Sequence, residues 1–524
     1  MTPPRRPLLL FAPPLLLLLA AASASAAAPP PNMVFILSDD LGFAEPSFMP
    51  RGPSGNRNIS TPNIDALAQS GMVFTDAYAG EAVCAPSRNA LMTGQHTGHT
   101  WIRGNLPGAD GHGLPLRASD TTFFELLRAQ GYHVACVGKW SMGWWNSTGA
   151  PDTRCDEYFG VVDQAFAHNM YPSTLTPDDV WRFPASDGRL APERVLFPTN
   201  VNASRDRCMA PGNTCEWDHD QWTGAALQII AAQAERERAA REAGGGAAAK
   251  PLFLYLAYTD PHAGGWNGEV EAGNPVPSDD GPARAYSNES SWPFQERDHA
   301  SVISNFQDRD VGRIVALLES TGLRESTVVF FASDNGASDE GQHDYMFFES
   351  SGPLRGFKRC LTEGGIRTPF VVSWPGTVPA GASSNLTVAF WDLMPTVAEL
   401  AGIEKGALPA GIDGVSFAAE MLGHPEAQSP HPPLYWEFCT AAHPPGVART
   451  GVGWAHAMRN GTWKAVSFFS DSKLELYDLA TDLGETTNVA AHHPDVIAAF
   501  EAFAKAAHTD NPNFPVGDAK CSPS

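Results

Sequence analysis

Five apolar runs of strand length set the pattern of this chain: Met33 to Ser38, Tyr132 to Val137, Leu252 to Tyr258, Thr327 to Ser333 and Phe370 to Trp374. Helical patterns separate them, at Asp120 to Gln130, Gln221 to Arg241 and Asp308 to Ser320. A strand with one wet face alternates apolar and polar residues, whereas a continuously apolar run must be covered on both faces. Alternating with amphipathic helices, such runs predict an α/β domain, a largely parallel sheet between two helical layers. Ligands of such sheets bind beyond the carboxyl ends of the strands. The residues that follow each run are therefore where chemistry is expected.

From about Gly411 the texture changes. Short strand candidates (Leu434 to Phe438, Trp463 to Phe469, Leu474 to Tyr477) precede one helix, Pro494 to Ala507, whose Val496, Phe500 and Phe503 share a face. A small antiparallel sheet covered by that helix is expected. The division read from the sequence is a leader at 1–28, an α/β domain at 29–410 and an α+β unit at 411–524. Gly244 to Ala249 reads as a small-residue surface loop.

The N-terminus has the form of a secretory signal: Arg5 and Arg6, an apolar run from Leu8 to Ala22, and the small residues Ala24-Ser25-Ala26. That run is short for a membrane span and Pro13 and Pro14 interrupt it. A soluble protein in the secretory pathway is expected, extracellular or lysosomal. Six Asn-x-Ser/Thr sequons fit that route, at Asn58, Asn146, Asn202, Asn288, Asn385 and Asn460. So do eight cysteines. Cys208 and Cys215 are spaced to close a small loop, and Cys136, inside an apolar run, is expected to stay unpaired. A net charge of -23 excludes a phosphate-neutralising stripe, so no nucleic-acid partner is expected. An anionic substrate then needs a local basic pocket.

Polar residues after the runs form one set. Asp39 and Asp40 close the first, and Asp334 and Asn335 follow the fourth. Three carboxylates and an amide oxygen are a hard ligand set suited to Ca²⁺ or Mg²⁺. Lys139 follows the second run, His262 follows the third in Thr259-Asp260-Pro261-His262, and Lys358 lies in Leu354-Arg355-Gly356-Phe357-Lys358. Cys84 opens a helical pattern, where unpaired N–H groups and the helix dipole favour negative charge, and Arg88 stands one turn on.

Cys84-Ala85-Pro86-Ser87-Arg88 resembles the Cys-x-Pro-Ser-Arg signature of the sulfatase family, and Leu91-Met92-Thr93-Gly94 extends it. Phe35 to Gly42, Gly138-Lys139-Trp140, Ala257 to His262, Ser333 to Gly336, Gly352 to Lys358, Glu363 to Arg367, Tyr477 to Leu479 and Gly484 to Asn488 are similar to further family segments, in the family's order. The resemblance is to the arylsulfatase-like branch and covers nearly the whole chain after the leader. It implies an alkaline-phosphatase-like fold with one Ca²⁺ held by Asp39, Asp40, Asp334, Asn335 and residue 84. It also implies that Cys84 is oxidised before folding to formylglycine by a formylglycine-generating enzyme. One hydroxyl of the aldehyde hydrate would attack sulfur, aided by the metal and Arg88, giving a covalent sulfate hemiester; loss of the second hydroxyl's proton would expel sulfate. Lys139 and Lys358 would clamp sulfate oxygens, and Lys358 or His262 would assist the leaving alcohol of a sulfated small molecule or carbohydrate.

The sequence departs from the family where Gly-Lys-Trp-His is usual, since Ser141 stands in place of the histidine. His168, in Ala167-His168-Asn169-Met170-Tyr171-Pro172, is the candidate for that role, and His343 is a second candidate, for substrate contact. Two other readings stay open: a phosphodiester or phosphonate hydrolase of the same superfold, and an unmodified, non-catalytic sulfate-binding protein.

Overall fold

The computed structural model describes all residues except 2–28, 51–58, 106–111, 165–166, 174–179, 209, 211, 245–247, 266–272, 275, 278–285, 287–288 and 522–524. Residues 2–28 of the leader, half of the small-residue connector at 244–249, and the sequon residues Asn58 and Asn288 lie outside the described residues. The other four sequon asparagines, Asn146, Asn202, Asn385 and Asn460, are all exposed. No described helix is long and apolar enough to cross a membrane.

The strands in chain order are β1 (Asn32–Asp39), β2 (Met72–Phe74), β3 (Ala77–Tyr78), β4 (His133–Lys139), β5 (Glu157–Val161), β6 (Val180–Phe183), β7 (Glu193–Val195), β8 (Leu252–Pro261), β9 (Thr327–Ser333), β10 (Phe370–Ser373), β11 (Ala382–Ser384), β12 (Val388–Ala389), β13 (Leu434–Thr440), β14 (Gly453–Asn460), β15 (Trp463–Ser467) and β16 (Glu475–Asp478). Ten of them form one sheet in the order β11-β2-β10-β9-β1-β8-β4-β5-β6-β7. Its centre, β9-β1-β8-β4-β5, is parallel throughout. Antiparallel pairs appear toward the edges, where β10 runs against β9 and β6 against β5. The apolar run at 370–374 thus belongs to the sheet but enters it in the opposite sense.

Both faces of the centre are buried, and the side chains divide between them with a period of two. Met33, Phe35 and Leu37 of β1 join Phe253, Tyr255, Phe330, Phe123 and Leu127 in one core. Val34 and Ile36 join Leu254, Leu256, Phe331, Trp222, Ile230 and Ile314 in the other. The helices Asp218–Glu242 and Asp308–Ser320 cover this second face. On the first lie the helices Cys84–Thr93, Phe123–Ala129 and Leu393–Leu400. This is the expected α/β sandwich.

The second sheet, β13-β14-β15-β16, is antiparallel. Phe500, with the partly buried Val496 and Phe503, packs on Tyr435, Met458, Ala465 and Leu476. Its opposite face, through Trp436, Phe438, Ala457 and Val466, shares a core with Val83, Cys84 and Ala90. The small sheet therefore buttresses the start of the Cys84 helix. Phe417 and Met421 still pack in the core of the large sheet.

Disulfides join Cys136 to Cys155, Cys208 to Cys215 and Cys439 to Cys521. The expectation that Cys136 stays unpaired is wrong. Parallel pairing of β4 with β5 brings the residue just ahead of β5 beside the inner face of β4, and both sulfurs lie in that core. The cysteines without a disulfide among the described residues are Cys84 and Cys360, both buried.

Candidate active site

Parallel strands deliver their carboxyl ends to one edge. Asp39 ends β1, Lys139 ends β4, His262 follows β8, and Asp334 and Asn335 follow β9. Two backbone features fix this delivery. Gly138 has φ +91°, and a Cβ there would sit 1.9 Å from the carbonyl oxygen of Ala257, so only glycine lets β4 close on β8 just before Lys139. Asp40 has φ 69°, a left-handed conformation costly for a non-glycine residue, which turns its carboxylate back beside that of Asp39.

Cys84 begins a ten-residue helix in which every side chain is buried. Its Sγ lies 3.2 Å from Asp39 Oδ1. Asp39 Oδ2 is paired with Lys139 and lies 3.5 Å from Arg88. Arg88 donates Nε and Nη2 to Asp334 Oδ2 at 3.0 and 2.8 Å, and Nη1 to the Lys139 carbonyl at 3.1 Å. Lys358 Nζ lies 2.8 Å from Asp40 Oδ2, 2.8 Å from His262 Nε2 and 2.7 Å from Glu340 Oε2. The sequence-predicted residues Asp39, Asp40, Cys84, Arg88, Lys139, His262, Asp334, Asn335 and Lys358 thus form one continuous, buried cluster.

His168 joins it. Its Nε2 lies 2.9 Å from Lys139 Nζ and 3.7 Å from Asp39 Oδ2, and its ring stacks on that of His262 with centroids 3.5 Å apart. Ser141 is buried, and its hydroxyl has no hydrogen-bond partner. His343 has different partners, Glu296 and the rings of His299 and Phe348. Sequence reasoning missed two members. Glu340 bridges Lys358, His262 and Arg359, the last at 2.6 Å. Arg359 carried a signal, as the neighbour of the motif lysine; Glu340 carried none.

Burial raises carboxyl pKa values, yet Lys139, with His168 and Arg88 nearby, holds Asp39 well below the usual range. Asp334, beside that charge, is pushed up to about 6 by burial and Asp39 despite Arg88. Burial, with His262 and Lys139, pushes His168 well down, so its ring is neutral and can accept a proton. Burial and then Asp39 push the Cys84 thiol well above its ordinary value. A thiol that stays protonated is a poor nucleophile. Unmodified Cys84 is therefore a weak reagent, although cations surround it.

Asp39, Asp40, Cys84 and His262 each present a ligand atom, all within 4.8 Å of one another. Asn335 completes the case for a cation. Its Nδ2 donates to Asp40 Oδ1 at 2.7 Å and to the Gly336 carbonyl at 2.9 Å, which turns its Oδ1 inward, buried and without a hydrogen-bond partner. A bare buried amide oxygen beside aspartate oxygens fits a hard divalent ion such as Ca²⁺.

Residues 31–403 match the sulfatase family, and residues 356–502 match the C-terminal region of N-sulphoglucosamine sulphohydrolase. Human arylsulfatase A is 30% identical over 90% of this chain and 86% of its own length. Among solved structures, Ps i-CgsB in complex with k-i-k-neocarrahexaose superposes with TM-score 0.68 at 24% identity, over 91% of this chain and 93% of that one. A protein solved with its substrate D-glucosamine-2-N,6-O-disulfate gives TM-score 0.61 at 18% identity, over 91% and 97%.

Proposed function

The chain belongs to the sulfatase family and is a sulfuric ester hydrolase; on that premise we propose that it works through an aldehyde hydrate at residue 84, a Ca²⁺ ion and a covalent sulfo-enzyme intermediate. The observation that carries this reading is the setting of Cys84: a fully buried side chain at a helix start, whose thiol is held protonated among three cations and two aspartates. Oxidation to the aldehyde removes the thiol and supplies a carbon that bears two hydroxyls as its hydrate.

Asp39, Asp40, Asp334 and Asn335 would hold the ion, which when bound would polarise the sulfate and favour the ionised nucleophile. Arg88 anchors Asp334 and reaches toward Asp39, so it fixes the carboxylates and adds positive charge at the nucleophile. Lys139 and Lys358 stand on either side of the cluster, each on a different aspartate, placed to bind sulfate oxygens as point charges. His168, neutral and hydrogen-bonded through Nε2 to Lys139, is the proposed base in place of the histidine that Ser141 replaces. His262 is held by its Nδ1 on the Ala263 carbonyl at 2.6 Å, which leaves Nε2 beside Lys358 for the leaving alcohol.

A sulfated carbohydrate is the proposed substrate class, supported by the relative solved with glucosamine disulfate. We place maturation in the secretory pathway on the leader's composition and the four exposed sequon asparagines. The experiment is mass analysis of the peptide carrying residue 84, paired with assays on 4-nitrophenyl sulfate and bis(4-nitrophenyl) phosphate. Converted, Ca²⁺-loaded protein should cleave the sulfate faster. A preference for the phosphate diester would overturn the substrate, and an unoxidised thiol in active protein would overturn the nucleophile.

A further inference from the structure

A second buried cluster stands behind the loop that leaves β1. Glu45, His299 and His343 are 2%, 3% and 6% exposed, and each presents a ligand atom within 4.8 Å of the others. We propose that these three residues form a second metal site, suited to Zn²⁺ and distinct from the oxygen-rich site at Asp39 and Asp40.

The argument starts at His343. Its Nδ1 lies 2.6 Å from Glu296 Oε2, and Glu296 is oriented in turn by the Asp344 N–H, which donates to Oε1 at 2.9 Å. A carboxylate on Nδ1 places the ring proton there and leaves the Nε2 lone pair free. That Nε2 is buried and has no hydrogen-bond partner. A histidine with one nitrogen held by a carboxylate and the other bare is the arrangement that orients a metal-binding imidazole. Without a ligand, the bare nitrogen is a cost with no return.

Its neighbours supply the rest. His299 stacks on His343 with centroids 3.8 Å apart and planes 17° from parallel, and its Nε2 lies 2.6 Å from Glu45 Oε1. Ligation of one ion by both rings needs a pivot about the terminal torsion, for which the energy well is broad. Two imidazoles and a carboxylate are a common zinc set, whereas the carboxylate and amide oxygens of Asp39, Asp40, Asp334 and Asn335 suit a harder ion. The difference in ligand softness would keep the two ions apart.

Such an ion would act as a clamp. Glu45 Oε2 accepts the Gly42 N–H at 2.7 Å, in the loop that carries Asp39 and Asp40. The His343 N–H donates to the carbonyl of Glu340 at 3.3 Å, the residue whose side chain holds Lys358 and Arg359. The cluster therefore ties two active-site loops together from behind.

The test uses untagged full-length protein, stripped with chelator, reloaded with excess Ca²⁺ and one equivalent of Zn²⁺, desalted and analysed for metals by mass spectrometry. Wild type should retain about one Zn²⁺ per chain, and so should the Asp39→Asn/Asp40→Asn double variant. His343→Gln and Glu45→Gln should weaken Zn²⁺ binding about tenfold or more. Co²⁺ in wild type should give visible d–d bands that one equivalent of Zn²⁺ abolishes, a readout independent of whether the variants fold. Absence of retained Zn²⁺, equal retention by His343→Gln, or loss of Zn²⁺ in the aspartate double variant would overturn the proposal. None of these readouts depends on conversion of Cys84, so they succeed or fail apart from the sulfatase mechanism.

Discussion

Two of the charged clusters buried among the described residues are built differently. At the joint between the large and small sheets, Glu363 receives Tyr78 Oη at 2.6 Å, Lys464 Nζ at 2.9 Å and Arg367 Nη1 at 3.2 Å, while Arg367 and Arg459 both close on Asp76. Glu485 caps the Glu363 N–H at 2.8 Å. Against its burial, Lys464 and the two arginines hold Glu363 down to about 2. At the sheet edge, Asp39, Asp40, Asp334 and Glu340 face Arg88, Lys139, Lys358 and Arg359. Counting charges would not separate the two clusters, since each is close to balanced. Each also holds a buried oxygen without a hydrogen-bond partner, but at the joint it is Glu485 Oε1, 3.5 Å from the Lys464 ammonium, whereas at the edge it is the neutral amide oxygen of Asn335, next to a buried thiol whose pKa is pushed well up. On the mechanism proposed above, the edge cluster is held ready for an ion and an anion, and the joint cluster serves as a structural fastening.

The sharpest way to break that contrast is at residue 84. Cys84→Ala should lower kcat/KM on 4-nitrophenyl sulfate by about 10⁴-fold or more, on the order of 5 kcal/mol of barrier, with a small change in Tm. Glu363→Ala should do the reverse. It strips the buried Lys464 of its nearest carboxylate, leaving only Glu485 at 3.5 Å, and should cost about 3–5 kcal/mol of stability in urea titrations, with kcat per folded molecule retained. An inactive but fully stable Glu363→Ala would collapse the distinction. Lys358→Ala should cost about 10²–10³-fold in kcat/KM, because it removes a charge placed for the transition state.

Glu81, just before the nucleophile helix, sharpens the comparison through pH. Burial pushes its carboxyl up to about 8 from an ordinary 4.5, so the native chain keeps a proton that the unfolded chain has released. Its contribution is fully present below 4.5 and is lost as pH rises toward 8. Glu81→Gln should match wild type at low pH and become more stable by a few kcal/mol at pH 8, since each pH step across that window costs the wild type about 1.4 kcal/mol. Melting curves across that range would show parallel profiles if the carboxyl is not perturbed. The smallest expected effect is at His168. His168→Ala should slow turnover about a hundredfold, with KM little changed. An unchanged rate would remove it as the base.

Strands β1, β4, β8 and β9 were legible because continuous apolar runs have few other homes. Strand β14 was not: Gly453-Trp454-Ala455-His456-Ala457 mixes small and polar residues, and only pairing with β13 and β15 makes it a strand. The direction of β10 was hidden for the same reason, since an apolar run carries no sign. Asp39, Lys139, Asp334 and Asn335 could be read because each sits directly after a strand. Glu340 and the pairing of Glu45 with His299 could not, because the latter pair lies 254 residues apart in sequence and only tertiary packing of a loop against the helix Phe294–Ser301 brings the side chains together.

The complete burial of Cys84 under the small sheet sets a deadline. No oxidising enzyme can reach that sulfur once the helix start is packed against Trp436 and its neighbours. On the mechanism proposed above, each chain therefore has a single opportunity during synthesis, and whatever share misses it stays inert for its lifetime. Specific activity then becomes a record of a race between folding and maturation, which differs from one host to another and which no later treatment of the native protein can rerun.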